Sequence, residues 1–149
     1  MTANRHFDPL DRLIVGADKA LRVMAGVASA SRPSPAAHAP DAPALHEGGR
    51  LWTYAQLQHS VEHAALLLRQ LDVRAGDRLM VVGENGALQV ALIFAAASID
   101  AWIVNVNARL SAREIDTIAT HSSSRRVLFL AGASPGAAAH AARRGASSV

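Results

Sequence analysis

Two stretches of the sequence hold residue types that could do chemistry. His59-Ser60-Val61-Glu62-His63 has the His-x-x-Glu-His spacing of one class of zinc proteases, with two imidazoles a helical turn apart and a carboxylate available as base. That chemistry needs a third ligand and a cleft. Leu57, Val61, Ala64 and Leu68 form the apolar stripe of the same segment, so His59, Glu62 and His63 turn to the opposite, solvated side. The second stretch, Gly132-Ala133-Ser134-Pro135-Gly136, is a glycine-bearing loop of the kind that can cradle a phosphate. It lacks hydroxyl density and has no lysine, and it reads as a plain turn from strand to helix. His6, His38, His46, His121 and His140 are scattered, without a Ser or Asp placed to suggest a triad. No residue is assigned a catalytic, cofactor-binding or metal-binding role.

Composition narrows the classes further. Half of the 149 residues are hydrophobic and 18% are charged, too apolar for a fully disordered chain, although much of the apolar content is alanine, which buries little area. With no cysteine, disulfides, thiolate metal sites and a cysteine nucleophile are excluded. The net charge of +3 is spread along the chain, with no basic stripe and no interleaved aromatics, which argues against nucleic acid. Asp8, Asp11 and Asp18 near the amino terminus, with no uninterrupted apolar run after them, argue against export and point to the cytoplasm. Residues 87–106 are long enough to test against a bilayer, since about 20 residues span one. Gln89, Asp100 and Asn105 interrupt them, and an acidic side chain at mid-span costs about 2.5–3.5 kcal/mol, so helix, turn and strand is the better parse and no transmembrane segment is expected.

The elements that position these residues follow from periodicity. Leu10, Leu13, Ile14, Ala17, Leu21 and Met24 recur at helical spacing and predict an amphipathic head over residues 1–28. Pro33, Pro35, Pro40 and Pro43 then mark residues 29–43 as a linker, too rich in proline for helix or central strand. Residues 44–46 and 51–53 flank Gly48-Gly49 and predict a β-hairpin. Thr53 with Gln56 predicts a capping box that opens a helix along Tyr54, Leu57, Val61, Ala64, Leu68 and Leu71. Buried strands are predicted over 78–82, 101–104 and 126–130, and helices over 87–98, after Ser111 with its capping partner Glu114, and from Ser134-Pro135 to a stop at Gly145. The alternation predicts a mainly parallel sheet with flanking helices. Trp52 and Trp102 sit in apolar strand patterns and are expected to pack in the hairpin and the core.

Leu51-Trp52-Thr53-Tyr54-Ala55-Gln56-Leu57 resembles the first signature of the AMP-forming acyl-CoA synthetases, members of the adenylate-forming superfamily, with Gln56 where that family usually has Glu. Residues 71–78 resemble its next loop, 79–85 its strand leading to an asparagine, and 101–110 its second signature. Asn107, Arg109, Leu110, Ser111 and Glu114 match that signature, with Ala108 in place of proline. Asp100 stands where the family has Gly, and Asn105 where it has Pro. The resemblance implies an α/β fold, a partial N-terminal subdomain of the adenylate-forming fold, over residues 44–149. For the full-length family it implies ATP, Mg and CoA as cofactors. The family's phosphate-binding loop, ribose carboxylate, magnesium-binding Glu and C-terminal lysine lie beyond the second signature, so none of these cofactors is expected to bind this chain and no independent ligase activity is expected.

Residues 8–36, with Ser29-Ala30-Ser31-Arg32-Pro33-Ser34-Pro35-Ala36, resemble the leader of bacterial demethoxyubiquinol hydroxylases. Those are di-iron proteins with Glu-x-x-His motifs. Glu47, Glu62, Glu84 and Glu114 are the only glutamates and none has a His three residues later, which excludes that activity. Beside a ligase fragment, two alternatives stand: a non-catalytic module that associates with itself or with a missing C-terminal part, and a non-functional remnant.

Overall fold

A computed structural model of the chain describes residues 35–147. The expected helical head and the start of the linker lie outside these residues, as does nearly all of the hydroxylase-like leader. Within the remainder of the expected linker, Pro35–His38 forms a short helix, α1, and Pro43 opens the first strand. Prolines allow both, because the first helical position needs no N–H and the first strand position can do without one. The segment is also anchored. The carbonyls of Pro40 and Ala42 accept hydrogen bonds from the amides of Ala55 and Tyr54, at 2.9 and 3.1 Å.

β1 (Pro43–Glu47) and β2 (Arg50–Thr53) pair antiparallel, with Glu47 opposite Arg50. The two-residue loop holds Gly48 at φ 53° and Gly49 at φ 81°, and a turn with positive φ at both positions matches the twist of a hairpin. α2 (Tyr54–Gln70) begins at once. The Gln56 amide donates to Thr53 Oγ1 at 3.2 Å and the Thr53 amide to Gln56 Oε1 at 3.1 Å, completing the capping box.

Three strands, β3 (Arg78–Gly83), β4 (Trp102–Asn107) and β5 (Arg126–Phe129), form a parallel sheet in the order β4-β3-β5. They alternate with α3 (Ala87–Ser98), α4 (Ala112–Ser122) and α5 (Pro135–Arg143). Side chains alternate across a strand, so β3 feeds two cores. Leu79 and Val81 join Leu68, Leu92, Ala95 and Ile103 under α2 and α3. Met80 and Val82 join Val106, Ile115 and Ala137 under α4 and α5. No described helix is long and apolar enough to cross a membrane, and residues 87–106 divide into α3, a turn and β4.

The amino edge of the sheet is tied by turns. Asp72 and Asp100 adopt φ of 60° and 57°, the left-handed region that Asp tolerates better than most residues. The Asp100 carbonyl accepts from Gly76 N at 2.8 Å, and Arg125, just before β5, reaches both the carboxylate and the carbonyl of Asp72. Trp102 departs from the expected core position and is 52% exposed. It shares a face with Val104 and Val106, but it begins the edge strand, and α4 and α5 lie mainly over β3 and β5. Trp52 is half-buried in the hairpin under the Arg50 guanidinium, 4.2 Å from its ring centroid.

Leu68 is fully buried between α2 and the sheet, whereas Leu66, two residues away, is 56% exposed. Leu68→Ala is therefore expected to lower unfolding free energy by about 2–5 kcal/mol, and Leu66→Ala to change it by no more than about 0.5 kcal/mol. Urea denaturation of the two variants checks both values.

Candidate functional site

In open parallel sheets ligands bind outside the carboxyl ends of the strands, where neighbouring strands send their connections to opposite faces. Here β3 meets that condition against both neighbours, because α3 follows β3 onto one face while α4 and α5 follow β4 and β5 onto the other. On the β4 side the lips of the crevice are the loop Glu84-Asn85-Gly86 and the loop Ala108-Arg109-Leu110 that follows Asn107, the last residue of β4. Contacts within the chain bridge it. Arg109 Nε lies 3.3 Å from Glu84 Oε1, Ala108 N donates to the Gly83 carbonyl at 3.0 Å, and Arg109 N donates to Asn107 Oδ1 at 2.9 Å.

A phosphate at this edge would be drawn to helix N termini, which carry free N–H donors and a positive dipole end. At each of the three that follow a sheet strand, part of that set is already capped. At α3 the N-cap is Gly86, with no side chain of its own to cap the helix. Glu47 reaches over from the hairpin instead, and its Oε1 accepts from Ala87 N at 3.0 Å. A Cβ at position 86 would collide with that oxygen, so glycine here makes room for the carboxylate. At α4, Ser111 and Glu114 complete a capping box: Ser111 N donates to Glu114 Oε2 at 2.8 Å and Glu114 N to Ser111 Oγ at 3.3 Å. The Ser111 hydroxyl and amide hold the Glu114 carboxyl below its ordinary range. At α5 the buried Ser134 hydroxyl accepts from Ala137 N at 3.2 Å, with Pro135 at the first helical position.

The loop 132–136 is thus a strand-to-helix turn, with Gly136 packed close against the Ala108 carbonyl. His59, Glu62 and His63 are exposed on the outer face of α2, the imidazole centroids 4.1 Å apart, and Glu62 Oε1 accepts from Gln58 Nε2 at 3.0 Å. His140 is drawn inward, its ring nitrogen 3.1 Å from the Leu110 carbonyl. A shallow depression lined by Arg113, Asp116, Thr117, Thr120 and His121 follows the face of α4. One helix supplies that whole lining, and Asp116 is committed elsewhere, to a two-pronged pair with Arg143 at 2.8 and 2.9 Å.

Sequence reading did not find Glu47 or the Glu84–Arg109 bridge. The one available signal was negative: a helix predicted to start after Gly86 has no local capping side chain, so its N terminus must be served from a distance.

Residues 34–148 match the family model described as AMP-binding enzyme. The chain belongs to the AMP-binding enzyme family. It is 38% identical over 77 residues to a feruloyl-CoA synthase of an Amycolatopsis species, and 32% over 83 residues to the long-chain-fatty-acid–CoA ligase FadD13 of Mycobacterium tuberculosis. Those alignments cover 52% and 56% of the chain but only 16% of either relative. The crystal structure of the N-terminal domain of FACL13 from Mycobacterium tuberculosis superposes with a TM-score of 0.59 at 31% identity, over 62% of this chain and 24% of that one. VinN, solved with L-aspartate, shares the fold at 21% identity with a TM-score of 0.60. The two family-like signatures fall on the junction of β2 with α2 and on β4 through the start of α4. Both hold capping boxes.

Glu47→Ala is expected to destabilise the chain by about 0.5–2 kcal/mol, the range for loss of an N-terminal cap, measured by urea unfolding. A pH effect follows from Asp116. Hydrogen bonding to Arg143, then the charges of Arg143 and Arg144, hold its carboxyl below the ordinary 3.8. A depressed folded-state value means that the pair stabilises the fold above pH 3.8 and that this contribution fades as pH falls through the lower folded value. Asp116→Asn should therefore lower the urea midpoint near neutrality, and the difference from the parent should shrink on acidification.

Proposed function

We propose that the chain carries the opening scaffold of an ATP-dependent, AMP-forming carboxylate–CoA ligase, and that on its own it does not activate a carboxylate. The observation that carries this reading is the occupied carboxyl edge. Glu47, the Ser111–Glu114 box and Ser134 each take up an N–H group at a helix start to which a nucleotide phosphate would be drawn. Adenylate formation requires positioned cations and N–H donors around the α-phosphate as pyrophosphate leaves. The one arginine in the crevice, Arg109, is paired with Glu84. The stretch shared with the ligases is about a sixth of their length, and the residues it shares act as helix caps and buried strand positions.

On this reading ATP, Mg and CoA belong to the full-length family and none of them is a cofactor of these 149 residues. The cytoplasm is the compartment where the substrates of such a ligase are met, and nucleic acid is not a partner. A second reading, a non-catalytic interaction module, is favoured by one observation. β4 is an edge strand that begins with the exposed Trp102 and has no charged residue along its length. Unprotected edges of this kind are templates for pairing.

Carboxylate-dependent exchange of labelled pyrophosphate into ATP tests the first reading. The purified chain with ferulate, a long-chain fatty acid or acetate should give no exchange above a protein-free control. Exchange with any of them would show that the edge is competent and sink the proposal. Light scattering at rising concentration addresses the second reading, for which a growing dimer fraction is the expected result and a monomer throughout the contrary one.

A further inference from the structure

α3 differs from the other long helices. α2 carries Glu62 and Arg69, α4 carries Arg113 and Asp116, and α5 carries Arg143, whereas Ala87–Ser98 contains no charged residue. One side of α3 is buried through Ala87, Ala91, Leu92, Ala95 and Ala96. The other side carries Val90, Phe94 and Ala97 at i, i+4, i+7 spacing, with Ile93 at its margin packed against the core. Val90, Phe94 and Ala97 are only half-buried. A helix that is apolar around its whole circumference belongs under cover on both sides, and the described residues cover one.

We propose that the second cover is the amino-terminal segment of this same chain, with Leu10, Leu13, Ile14, Ala17, Leu21 and Met24 laid along Val90, Phe94 and Ala97. Residues 10–24 lie outside the described part, and their spacing alone marks them as helical. The lengths agree, since at about 1.5 Å per residue the head stripe runs about 21 Å and α3 about 18 Å. The point of entry agrees as well. The described chain begins at α1, which packs on α2, the helix beside α3. Residues 25–34 can span about 33–36 Å when extended, enough to carry the head from α2 across to α3.

Chemistry supports the same occupant. Asp8, Arg12, Lys19 and Arg22 fall on the side of the head helix away from its apolar stripe, and Asp11 and Asp18 on its flank. Once docked, the head would give uncharged α3 the charged outer layer that the other helices have of their own. A tether of this length holds the head at an effective concentration on the order of millimolar, which favours it over a second copy at ordinary protein concentrations.

Because the chain contains no cysteine, Lys19→Cys places a single spin label on the charged side of the head. In the full-length, isotope-labelled chain the amide signals of Val90, Phe94 and Ala97 should be broadened, while those of Ile115 and Ala137, across the sheet, stay sharp. Adding Leu13→Asp and Leu21→Asp should restore the α3 signals and leave the slow hydrogen exchange of β3 unchanged, which shows that the sheet is intact. Mixing spin-labelled chain with separate isotope-labelled chain should give no broadening. Absent or uniform broadening in the single chain would overturn the proposal, as would broadening that survives the two aspartates. Broadening that requires the mixture would assign the face to a second copy instead.

Discussion

The burial of β3 on both faces is the constraint from which the rest of the described chain takes its arrangement. Leu79, Met80, Val81 and Val82 are all fully excluded from solvent, although they point alternately to opposite sides. A strand in that position must be paired along both edges and covered above and below, or its backbone and side chains lose their compensation. Both neighbours are parallel to it, so each connection has to cross over the sheet. That requirement sends α3 to one face and α4 to the other, and it opens the crevice at the carboxyl edge where the crossings diverge.

Where local chemistry decides the structure, the sequence was readable. Thr53 with Gln56 and Ser111 with Glu114 satisfy their own helix starts within four residues, and Gly48-Gly49 supplies both positive φ angles of a hairpin turn. The boundaries of α3 at Ala87 and Ser98 followed in the same way from the loop before it and the turn after it. Strand ends were less legible, and β4 runs on to Asn107 beyond the apolar run, because pairing with β3 rather than side-chain type sets its length. Trp102 shows a related limit. An apolar pattern reveals that a residue is in a strand but not that the strand is an edge, and the exposure of Trp102 is a property of sheet order. The carboxyl edge was the hardest part to foresee, since Glu47 acts on a helix that starts 40 residues later.

The positions at which the chain departs from the signatures it resembles bear on the same distinction between scaffold and site. Asp100 takes φ 57° at a turn where glycine is usual, and its carbonyl still closes the loop to Gly76. Ala108 replaces a proline and retains an amide, which Gly83 accepts at the mouth of the crevice. Asn105 replaces another proline within β4, and its side chain meets buried Gln89 at 3.4 Å. In each case the replacement keeps or adds a hydrogen bond inside the chain, so the fold is preserved by contacts directed inward.

That inward direction is what the proposal of a ligase-family architecture without its chemistry rests on. A catalytic edge needs donors and cations held in place but unpaired until substrate arrives, and such groups are costly to maintain in a protein. In the crevice between β3 and β4 the carboxylate of Glu84 lies beside Arg109, and a second carboxylate, Glu47, sits on the N terminus that would otherwise attract an anion. Both acids stabilise the strand-to-helix loops as they stand, and both would repel an incoming phosphate. A nucleotide phosphate here would compete with Glu47 for the amide of Ala87 and with Glu84 for Arg109, so the contacts that complete this part of the fold oppose its use as a phosphate site.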